Sequence, residues 1–279
     1  MPKVICVVDN SAGSENGLQT EHGLSFWIET AQGNVLFDTG QTAAVLLHNL
    51  HYLGLSDNNL SALVLSHAHF DHTGGIDPVL ANNKTLPVFG HTQIFEKRYY
   101  RSEDGTRLVG LSEDHELLLR QSNLFLSDQP EEVVKGLWTT GDITIRNDQL
   151  GSSPFLYIQK DEIWYPDPYA DDLSLVLKTA EGLVVICGCC HAGLLNTLYH
   201  VRKTFVGNIH AVIGGIHLVY AKEAYLNHVI DAIKQDFSNT RFMLNHCTGK
   251  DAQERFAMEF GALVSNFSVG STVSFGDLE

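Results

Sequence analysis

The chain has 279 residues, a formal net charge of −15 at pH 7 and a hydrophobic fraction of 44%. This length and composition suit one large α/β domain with a sizeable core, so we expect a single domain over residues 1–279. The acidic balance argues against non-specific binding to nucleic acid, against RNA processing and against binding to anionic membranes, because these need a basic surface. No apolar run is long enough to span a bilayer.

The cysteine pattern indicates a reducing compartment. The chain has five cysteines, an odd number, and Cys187, Cys189 and Cys190 fall within four positions. Such crowding is not a disulfide framework. The first residues also lack the layout of a signal peptide. We therefore expect a cytoplasmic protein.

Apolar runs alternate with turn residues through the first part of the chain. Predicted strands cover Lys3–Val8, 24–29, 35–37, 62–65 and 86–90, and predicted helices cover 42–53, a segment starting at Ile76 and a segment from His91 to Tyr99. We expect an elaboration on the core over about 92–170, with strands near 124–126 and 143–145. Its aromatic residues Trp164, Tyr165 and Tyr169 suit either core packing or a stacking surface for a flat substrate.

The second part of the chain has a clearer alternation. A hairpin is predicted from strands at 173–178 and 183–187, followed by strands at 209–213, 241–244 and 264–275 and helices at 194–204, 221–237 and 251–260. Alternating strands and helices of this length indicate an α/β fold.

Four of the predicted strands end at a turn that contains histidine. The side chains at these turns are His67, His69, Asp71 and His72 at the first, and His191, His217 and His246 at the others. Strand ends open onto one edge of a sheet, where α/β folds commonly bind ligands. Neutral imidazole and carboxylate together suit zinc, iron or manganese.

The first turn has an internal offset. His67 and His69 lie two residues apart and can chelate one ion, whereas Asp71 and His72 are displaced around the turn and more naturally reach a second ion. Asp38 ends another predicted strand. Its carboxylate can accept a hydrogen bond from a metal-binding histidine and so orient the ring, it can cap the next helix, and the two roles are compatible. His22 suits either a surface loop or the mouth of the site.

The run His67-Ala68-His69-Phe70-Asp71-His72 resembles the metal-binding signature of the metallo-β-lactamase superfamily, and Phe37-Asp38-Thr39-Gly40 resembles its first motif. The resemblance implies a four-layer αββα sandwich with a dinuclear metal site at one edge. Flavodiiron members of the superfamily have Glu at the position of His69, so His69 favours a zinc-type site over a redox di-iron site.

The resemblance also implies a set of ligands. Metal 1 is assigned His67, His69 and His191, and metal 2 is assigned Asp71, His72 and His246. A bridging Asp or Cys often ends the strand that here ends in Gly188-Cys189-Cys190, so Cys190, with Cys189 as the alternative, is the candidate for that role, unless the thiol is structural. The expected cofactors are two divalent ions, zinc first, with manganese or iron as alternatives.

Four further motifs resemble one subgroup of the superfamily, named for a dihydropterin–aminobenzene ribofuranosyl phosphate synthase. They lie at residues 21–25, 188–193, 214–218 and 246–249. The resemblance implies condensation of a pterin diphosphate with an aryl ribofuranosyl phosphate and release of diphosphate. It places His22 and His217 near the substrate. The candidate catalytic residues are Asp71 and His217.

The residues and the resemblance together predict a metal-dependent enzyme. We expect a hydrolase or transferase that acts on a phosphorylated or pterin-like small molecule. The alternatives are a metal-dependent phosphodiesterase or esterase, and a non-catalytic ligand-binding member of the same fold. The expected partner is the small-molecule substrate, and the sequence leaves the oligomeric state open.

Overall fold

Strands and helices alternate along the computed structural model, which describes residues 1–13 and 17–277. The strands are β1 (Lys3–Val8), β2 (Ser25–Thr30), β3 (Gly33–Phe37), β4 (Leu60–Val64), β5 (Pro87–Gly90), β6 (Arg98–Ser102), β7 (Gly105–Leu108), β8 (Asn123–Leu126), β9 (Glu132–Val134), β10 (Leu137–Thr139), β11 (Leu156–Lys160), β12 (Ile163–Pro166), β13 (Ser174–Thr179), β14 (Gly182–Cys187), β15 (Ile209–Gly214), β16 (Arg241–Leu244), β17 (Val264–Asn266) and β18 (Thr272–Ser274). The α-helices are α1 (Ala43–Tyr52), α2 (Phe70–Thr73), α3 (Ile76–Asn82), α4 (Glu113–Arg120), α5 (Leu194–Thr204), α6 (Glu223–Asp236) and α7 (Lys250–Phe260).

Two seven-stranded sheets form the centre of the molecule. Their strand orders are β18-β1-β2-β3-β4-β5-β8 and β17-β16-β15-β14-β13-β10-β9. In the first sheet β3, β4, β5 and β8 run parallel, and in the second β14, β15, β16 and β17 do so. The carboxyl ends of each parallel set therefore meet at one edge of their sheet, which is where the histidine-bearing turns lie.

The sheets pack face to face and carry helices on their outer faces. In β4, Ala62 and Val64 belong to the core between the sheets, whereas Leu63 belongs to the core under α1 and α3. This alternation follows from the two-residue period of a strand, and both faces are apolar because both are covered. Helices α5, α6 and α7 bury their apolar sides against the second sheet. The layers are those of the predicted αββα sandwich.

Helix α5 has the bounds that the sequence predicts. Leu194, Leu198 and Val201 recur at helical spacing and are buried against the second sheet. Each such leucine stabilises the packed helix by roughly 1.5–3 kcal/mol relative to an exposed one. Arg202 and Lys203 lie in the last turn, where positive charge is favourable to the helix dipole.

Two predictions in the segment 92–170 are wrong. The predicted helix from His91 to Tyr99 is absent; turns lead instead into β6, where Tyr99 pairs with Tyr157 of β11. This long-range pairing overrides local helical propensity, and tyrosine suits a strand. The predicted strand at 143–145 is irregular chain that joins no sheet, and the Ile143 carbonyl accepts a hydrogen bond from the Arg146 side chain.

Helix α4 is not among the predicted elements. Ser112 caps this helix by accepting a hydrogen bond from His115 N, its first turn is acidic and Arg120 lies in its last turn. These features are a recognisable helix-start signal that the charged surroundings obscured.

A four-stranded sheet, in the order β12-β11-β6-β7, lies within the predicted elaboration. Other strands of that segment extend the two large sheets, since β8 joins the first and β9 and β10 join the second. The small sheet is tied to the first histidine turn, because Phe70 N donates to Val109 O at 2.9 Å. Among the described residues, no helix has the length and apolarity to cross a membrane.

Candidate metal centre and cleft

Several strand ends carry residues in the left-handed backbone region. Asp38, Cys190, His217 and His246 have φ values of 59°, 56°, 43° and 48°. Non-glycine residues adopt this region rarely, and they cluster at functional sites, where the surrounding structure holds the strain. Here the sharp turns sit at or just after the carboxyl ends of parallel strands and direct side chains from both sheets toward one place.

Three histidines form the first group. The rings of His67, His69 and His191 lie 4.5 to 5.0 Å apart, and the Nε2 atom of each is buried without a hydrogen-bond partner. Burial holds the pKa of all three well below the ordinary value, to about 3 for His69, so the rings are neutral at pH 7. Unpaired buried acceptors are unfavourable in a protein, and a cation is the partner that fits three convergent lone pairs.

The hydrogen bonds of the opposite ring nitrogens determine the tautomers. His191 Nδ1 must donate to the carbonyl of Gly151 at 2.6 Å, which leaves Nε2 with its lone pair. Ser66 Oγ donates to Asp38 Oδ2 at 2.6 Å, so it accepts from His67 Nδ1 at 2.8 Å, and His67 Nε2 also keeps its lone pair. Both rings are thus held in the form that binds a metal through Nε2.

A second group lies beside the first. The Nε2 atom of His72 is 3.2 Å from His246 Nε2 and 3.2 Å from Cys189 Sγ, and Asp71 Oδ2 is 3.4 Å from His246 Nε2. Burial lowers the pKa of His72, but the negative charges of Asp38 and Asp71 outweigh it and leave that pKa raised. Two imidazoles, a carboxylate and a thiol are a donor set that suits a divalent transition metal.

Cys189 lies between the two groups. Its thiol, with His67 and His191, has ligand atoms within 4.8 Å of one another, and so does its thiol with His72 and His246. The cysteine predicted for this place was Cys190, and the structure does not bring Cys190 to the cluster.

The Cys190 thiol lies in the core under α5 instead, 3.3 Å from Thr197 Oγ1. Cys190 has a left-handed backbone conformation, with φ at 56°, and this turn directs its thiol away from the histidines, whereas the Cys189 thiol faces them. Cys189 therefore replaces Cys190 in the candidate ligand set.

We expect the two cysteines to respond differently to substitution. Cys189→Ala should weaken metal binding by about tenfold or more, whereas Cys190→Ala should keep the metal content and change only stability, by about 1 kcal/mol. Elemental analysis after dialysis against a weak chelator, with circular dichroism as the folding control, measures both. Equal metal content in the two variants would contradict the assignment of Cys189.

The Asp38 side chain orients a histidine, and it does not cap the following helix. Asp38 Oδ2 accepts from His72 Nδ1 at 2.7 Å and Oδ1 accepts from Ser66 N at 2.7 Å. The N-cap of α1 is Thr42, whose side chain accepts from Val45 N. The helix-capping alternative is therefore wrong.

Two aspartates that are not among the predicted site residues hold the histidine turns. Asp171 Oδ2 accepts from Ala68 N at 2.8 Å, and Asp172 Oδ2 accepts from Ala192 N at 2.8 Å. Both carboxyl groups are buried. Adjacent acidic residues directly before the apolar run at 173–178 were the available signal, because a carboxylate there must find buried donors.

Further contacts support the ring positions of His246 and His191. His246 N donates to Asp9 Oδ1 and its Nδ1 lies 2.9 Å from Asn10 Oδ1. The Tyr169 ring stacks on His191 with a centroid distance of 4.2 Å and an interplanar angle of 3°. Asp9 and Asn10 directly follow β1. Polar residues after a predicted strand were the signal that could have identified them as site residues.

His22 and His217 line a cavity of about 340 Å³ beside the two groups. His22 is 59% exposed at the cavity mouth and its Nε2 lies 3.2 Å from Asp71 Oδ2. His217 is buried more deeply, its ring is 4.4 Å from that of His191, and its Nδ1 lacks a hydrogen-bond partner. Burial lowers the pKa of His217 to about 4, so the ring is neutral at pH 7.

Of the three aromatic residues considered for a stacking surface, Tyr169 stacks on His191, whereas Trp164 and Tyr165 lie away from the cavity. Trp164 packs on Tyr99, with ring centroids 5.2 Å apart, and under Arg101, whose guanidinium is 4.3 Å from the Trp164 ring. Neither Trp164 nor Tyr165 is among the described residues that line the cavity. Packing is therefore the role that the structure supports for Trp164.

Comparison with known proteins agrees with this architecture. The chain is 29% identical over 286 residues to the 7,8-dihydropterin-6-methyl-4-(beta-D-ribofuranosyl)-aminobenzene-5'-phosphate synthase of Methanocaldococcus jannaschii, covering 98% of this chain and 96% of that protein. It is 31% identical over 267 residues to the uncharacterized protein MJ0448 of the same organism, covering 95% of each.

A solved structure has the same fold over the whole chain. The crystal structure of Tm1679, described as a metal-dependent hydrolase of the beta-lactamase superfamily, superposes with a TM-score of 0.84 at 25% identity, covering 99% of this chain and 100% of that one. The sequence profile of the metallo-beta-lactamase superfamily matches residues 19–145. With the strand-end histidines and the two facing sheets, these similarities show that the chain belongs to the metallo-β-lactamase superfamily.

Proposed function

We propose that this protein is a metal-dependent enzyme with two divalent ions, zinc first, that acts on a phosphorylated, pterin-like small molecule. The observation that carries the proposal is the set of three buried Nε2 atoms without a partner, next to a second group of convergent donors. The proposed ligands are His67, His69 and His191 for one ion and Asp71, His72 and His246 for the other, with the Cys189 thiol between them.

The donor set fits the ions by chemistry. Neutral imidazole, thiolate and carboxylate are the ligands that zinc prefers, and manganese or iron remain the alternatives. Bound there, two divalent ions would activate a nucleophile and neutralise the charge of a phosphate-containing leaving group. The protein's own part is to hold the rings in the correct tautomer, through Asp38, Ser66 and the Gly151 carbonyl.

His217 and Asp71 are the proposed catalytic residues. His217 Nδ1 is buried and unpaired beside the cavity, so it can accept a hydrogen bond from a bound substrate. Asp71 contacts His22 and His246, so its carboxylate fixes the geometry at the mouth of the cleft. Asp71 and His217 do not form the pair of a nucleophilic side chain and an adjacent base that serine and cysteine hydrolases use.

Two reactions fit this site. In the transfer, which the similarity to the pterin-related synthase supports, an aryl amine nitrogen bonds to the pterin methylene carbon. The C–O bond to diphosphate breaks, diphosphate leaves with the bonding electrons, and the amine loses a proton. In the hydrolysis, which the similarity to the Tm1679 structure supports, water attacks phosphorus and an alcohol or phosphate leaves.

The two reactions are separated by product analysis. The zinc- or manganese-loaded protein is incubated with a dihydropterin-methyl diphosphate and a ribofuranosyl aminobenzene 5′-phosphate, and in parallel with bis(p-nitrophenyl) phosphate. We expect one coupled product per diphosphate released. Release of phosphate or nitrophenol without coupling would instead favour the phosphodiesterase.

The non-catalytic alternative gives its own result. A ligand-binding protein would bind the pterin without any turnover, in the presence of either metal. The matched control is the metal-free protein, which should turn over neither substrate. Equal turnover with and without metal would contradict the proposal.

We also propose that the chain is one domain, with the small sheet as an elaboration, and that it acts in the cytoplasm. A single core between the two large sheets draws residues from both ends of the chain, Val4 and Phe275 among them. All five cysteines are free thiols, which suits a reducing compartment.

A further inference from the structure

The cleft contains one side chain with a permanent positive charge. Arg107 is the one lysine or arginine among the described residues that line the cavity. In a chain of net charge −15, Arg107 is thus the lining side chain that would attract an anionic group to its part of the cleft, apart from any bound metal ions.

Arg107 is not engaged by the acidic side chains around it. No described carboxylate lies within 4.0 Å of its guanidinium. The guanidinium lies over the face of Tyr100, 5.0 Å from the ring centroid. By contrast, Arg98 and Arg120 each pair with at least one carboxylate. The five donors of the Arg107 fork therefore remain available to a ligand.

The hairpin geometry puts Arg107 on the cleft side of the small sheet. Tyr100 of β6 and Arg107 of β7 are directly opposite partners, so their side chains share a face. Leu156 of β11 pairs with Tyr100 and also lines the cavity, as does Val109 just after β7. One face of this sheet is therefore a wall of the cleft.

Arg101 of the same hairpin points the other way. It follows Tyr100 in β6, and successive strand residues alternate between faces. Its guanidinium lies over Trp164 and Tyr157, at 4.3 and 5.3 Å from the ring centroids, and it does not line the cavity. Arg101 thus provides a matched control for Arg107: the same residue type, in the same hairpin, stacked on aromatic rings, but outside the cleft.

Aromatic rings connect Arg107 to the histidine groups. The Tyr100 ring lies 5.3 Å from Phe155, Phe155 lies 6.5 Å from Tyr220, and Tyr220 lies 6.0 Å from His217. Tyr100 and Tyr220 both line the cavity. A flat ring system can pack along this surface, since aromatic faces stack on one another with spacings of this order.

We propose that Arg107 binds a phosphate on the substrate, at the end away from the histidine groups, while the aromatic part of the substrate packs along Tyr100 and Tyr220. This inference rests on the proposed function and specifies an aromatic substrate that has a phosphate at the end away from its reacting group. The reacting end of the substrate would lie at the ions held by the histidine groups. The Arg107 guanidinium would bind the phosphate at the other end through paired N–H donors.

The test compares two ligands that differ only in the phosphate. Affinities of the zinc-loaded protein for a ribofuranosyl aminobenzene and for its 5′-phosphate are measured by titration calorimetry. A charged hydrogen-bonded pair corresponds to about a tenfold to hundredfold preference for the phosphorylated compound in the wild type. In Arg107→Ala this ratio should fall toward one, and Arg107→Lys should give an intermediate ratio because it keeps the charge and loses the fork.

Arg101→Ala is the control, and it should keep the wild-type ratio. An unchanged ratio in Arg107→Ala, or no preference in the wild type, overturns the phosphate subsite. The result is separable from the proposed function. A ratio that Arg107→Ala abolishes, in a protein without turnover, would uphold the subsite and refute the enzyme. Turnover, together with an affinity ratio that Arg107→Ala leaves unchanged, would uphold the enzyme and refute the subsite.

Discussion

His69→Ala is expected to abolish turnover, lowering kcat by about 10³-fold or more, which corresponds to roughly 4 kcal/mol of transition-state stabilisation. The substitution removes one of three neutral imidazoles whose buried Nε2 atoms converge without partners. The two remaining histidines of that group, His67 and His191, cannot close the coordination of an ion.

Asp71→Ala should fail in a different way. Asp71 belongs to the second group, with its carboxylate oxygen 3.4 Å from His246 Nε2 and 3.7 Å from His72 Nε2. Its removal takes away a negative charge as well as a ligand atom. We therefore expect this variant to retain about one ion per chain where the wild type retains two, and to lose most of its activity.

Elemental analysis of both variants decides between these outcomes, with circular dichroism to confirm folding. His51→Ala is the control, because His51 is an exposed histidine on α1 outside both groups, and it should keep both ions and full turnover. If His69→Ala and Asp71→Ala both keep two ions per chain, or both turn over like the wild type, the dinuclear site is refuted and the enzyme proposal loses its basis.

The second large effect is expected from Asp38→Asn, a change that keeps the size of the side chain. Asp38 is fully buried and accepts from Ser66 N, Ser66 Oγ and His72 Nδ1 at 2.7, 2.6 and 2.7 Å. An amide can offer only one acceptor oxygen, so an NH₂ group must face at least one of these donors. If it faces His72 Nδ1, that nitrogen gives up its hydrogen, and Nε2 then bears one and cannot ligate.

We expect Asp38→Asn to lower metal affinity or activity by about 10–100-fold while the chain stays folded. Asp167→Asn is the matched control: it is a buried carboxylate that faces Arg98 at 3.2 Å and contacts no histidine of the two groups. It should lose stability and keep its metal. Equal metal affinity in the two variants would show that Asp38 does not orient His72 in the way its contacts indicate.

Much of the fold and of the site could be predicted before any coordinates, for local reasons. The first turn has its histidines and aspartate within six residues, so their proximity follows from the chain itself. Helix α5 and the strand Arg241–Leu244 have the predicted bounds because their apolar residues recur at the helix period and as a short buried run. The αββα fold class followed from the resemblance and is the architecture observed.

Other features depended on partners far away in the sequence. Residues 98–102 pair with β7 of the same hairpin and also with β11, which comes more than fifty positions later, and no local signal contains that second partner. The same distance explains Asp171, which supports Ala68 of the first turn across 103 residues.

The sequence by itself therefore determined the chemical types at the site and their order along strand ends, because ligand chemistry and strand period are local properties. The tertiary structure alone decided which of two adjacent thiols faces the histidines, since a single backbone turn at Cys190 sends that thiol into the core and leaves Cys189 at the site. It also decided which of two arginines in one hairpin enters the cleft. Arg107 does so and Arg101 does not, because pleat and sheet packing assign faces only once the strands are paired.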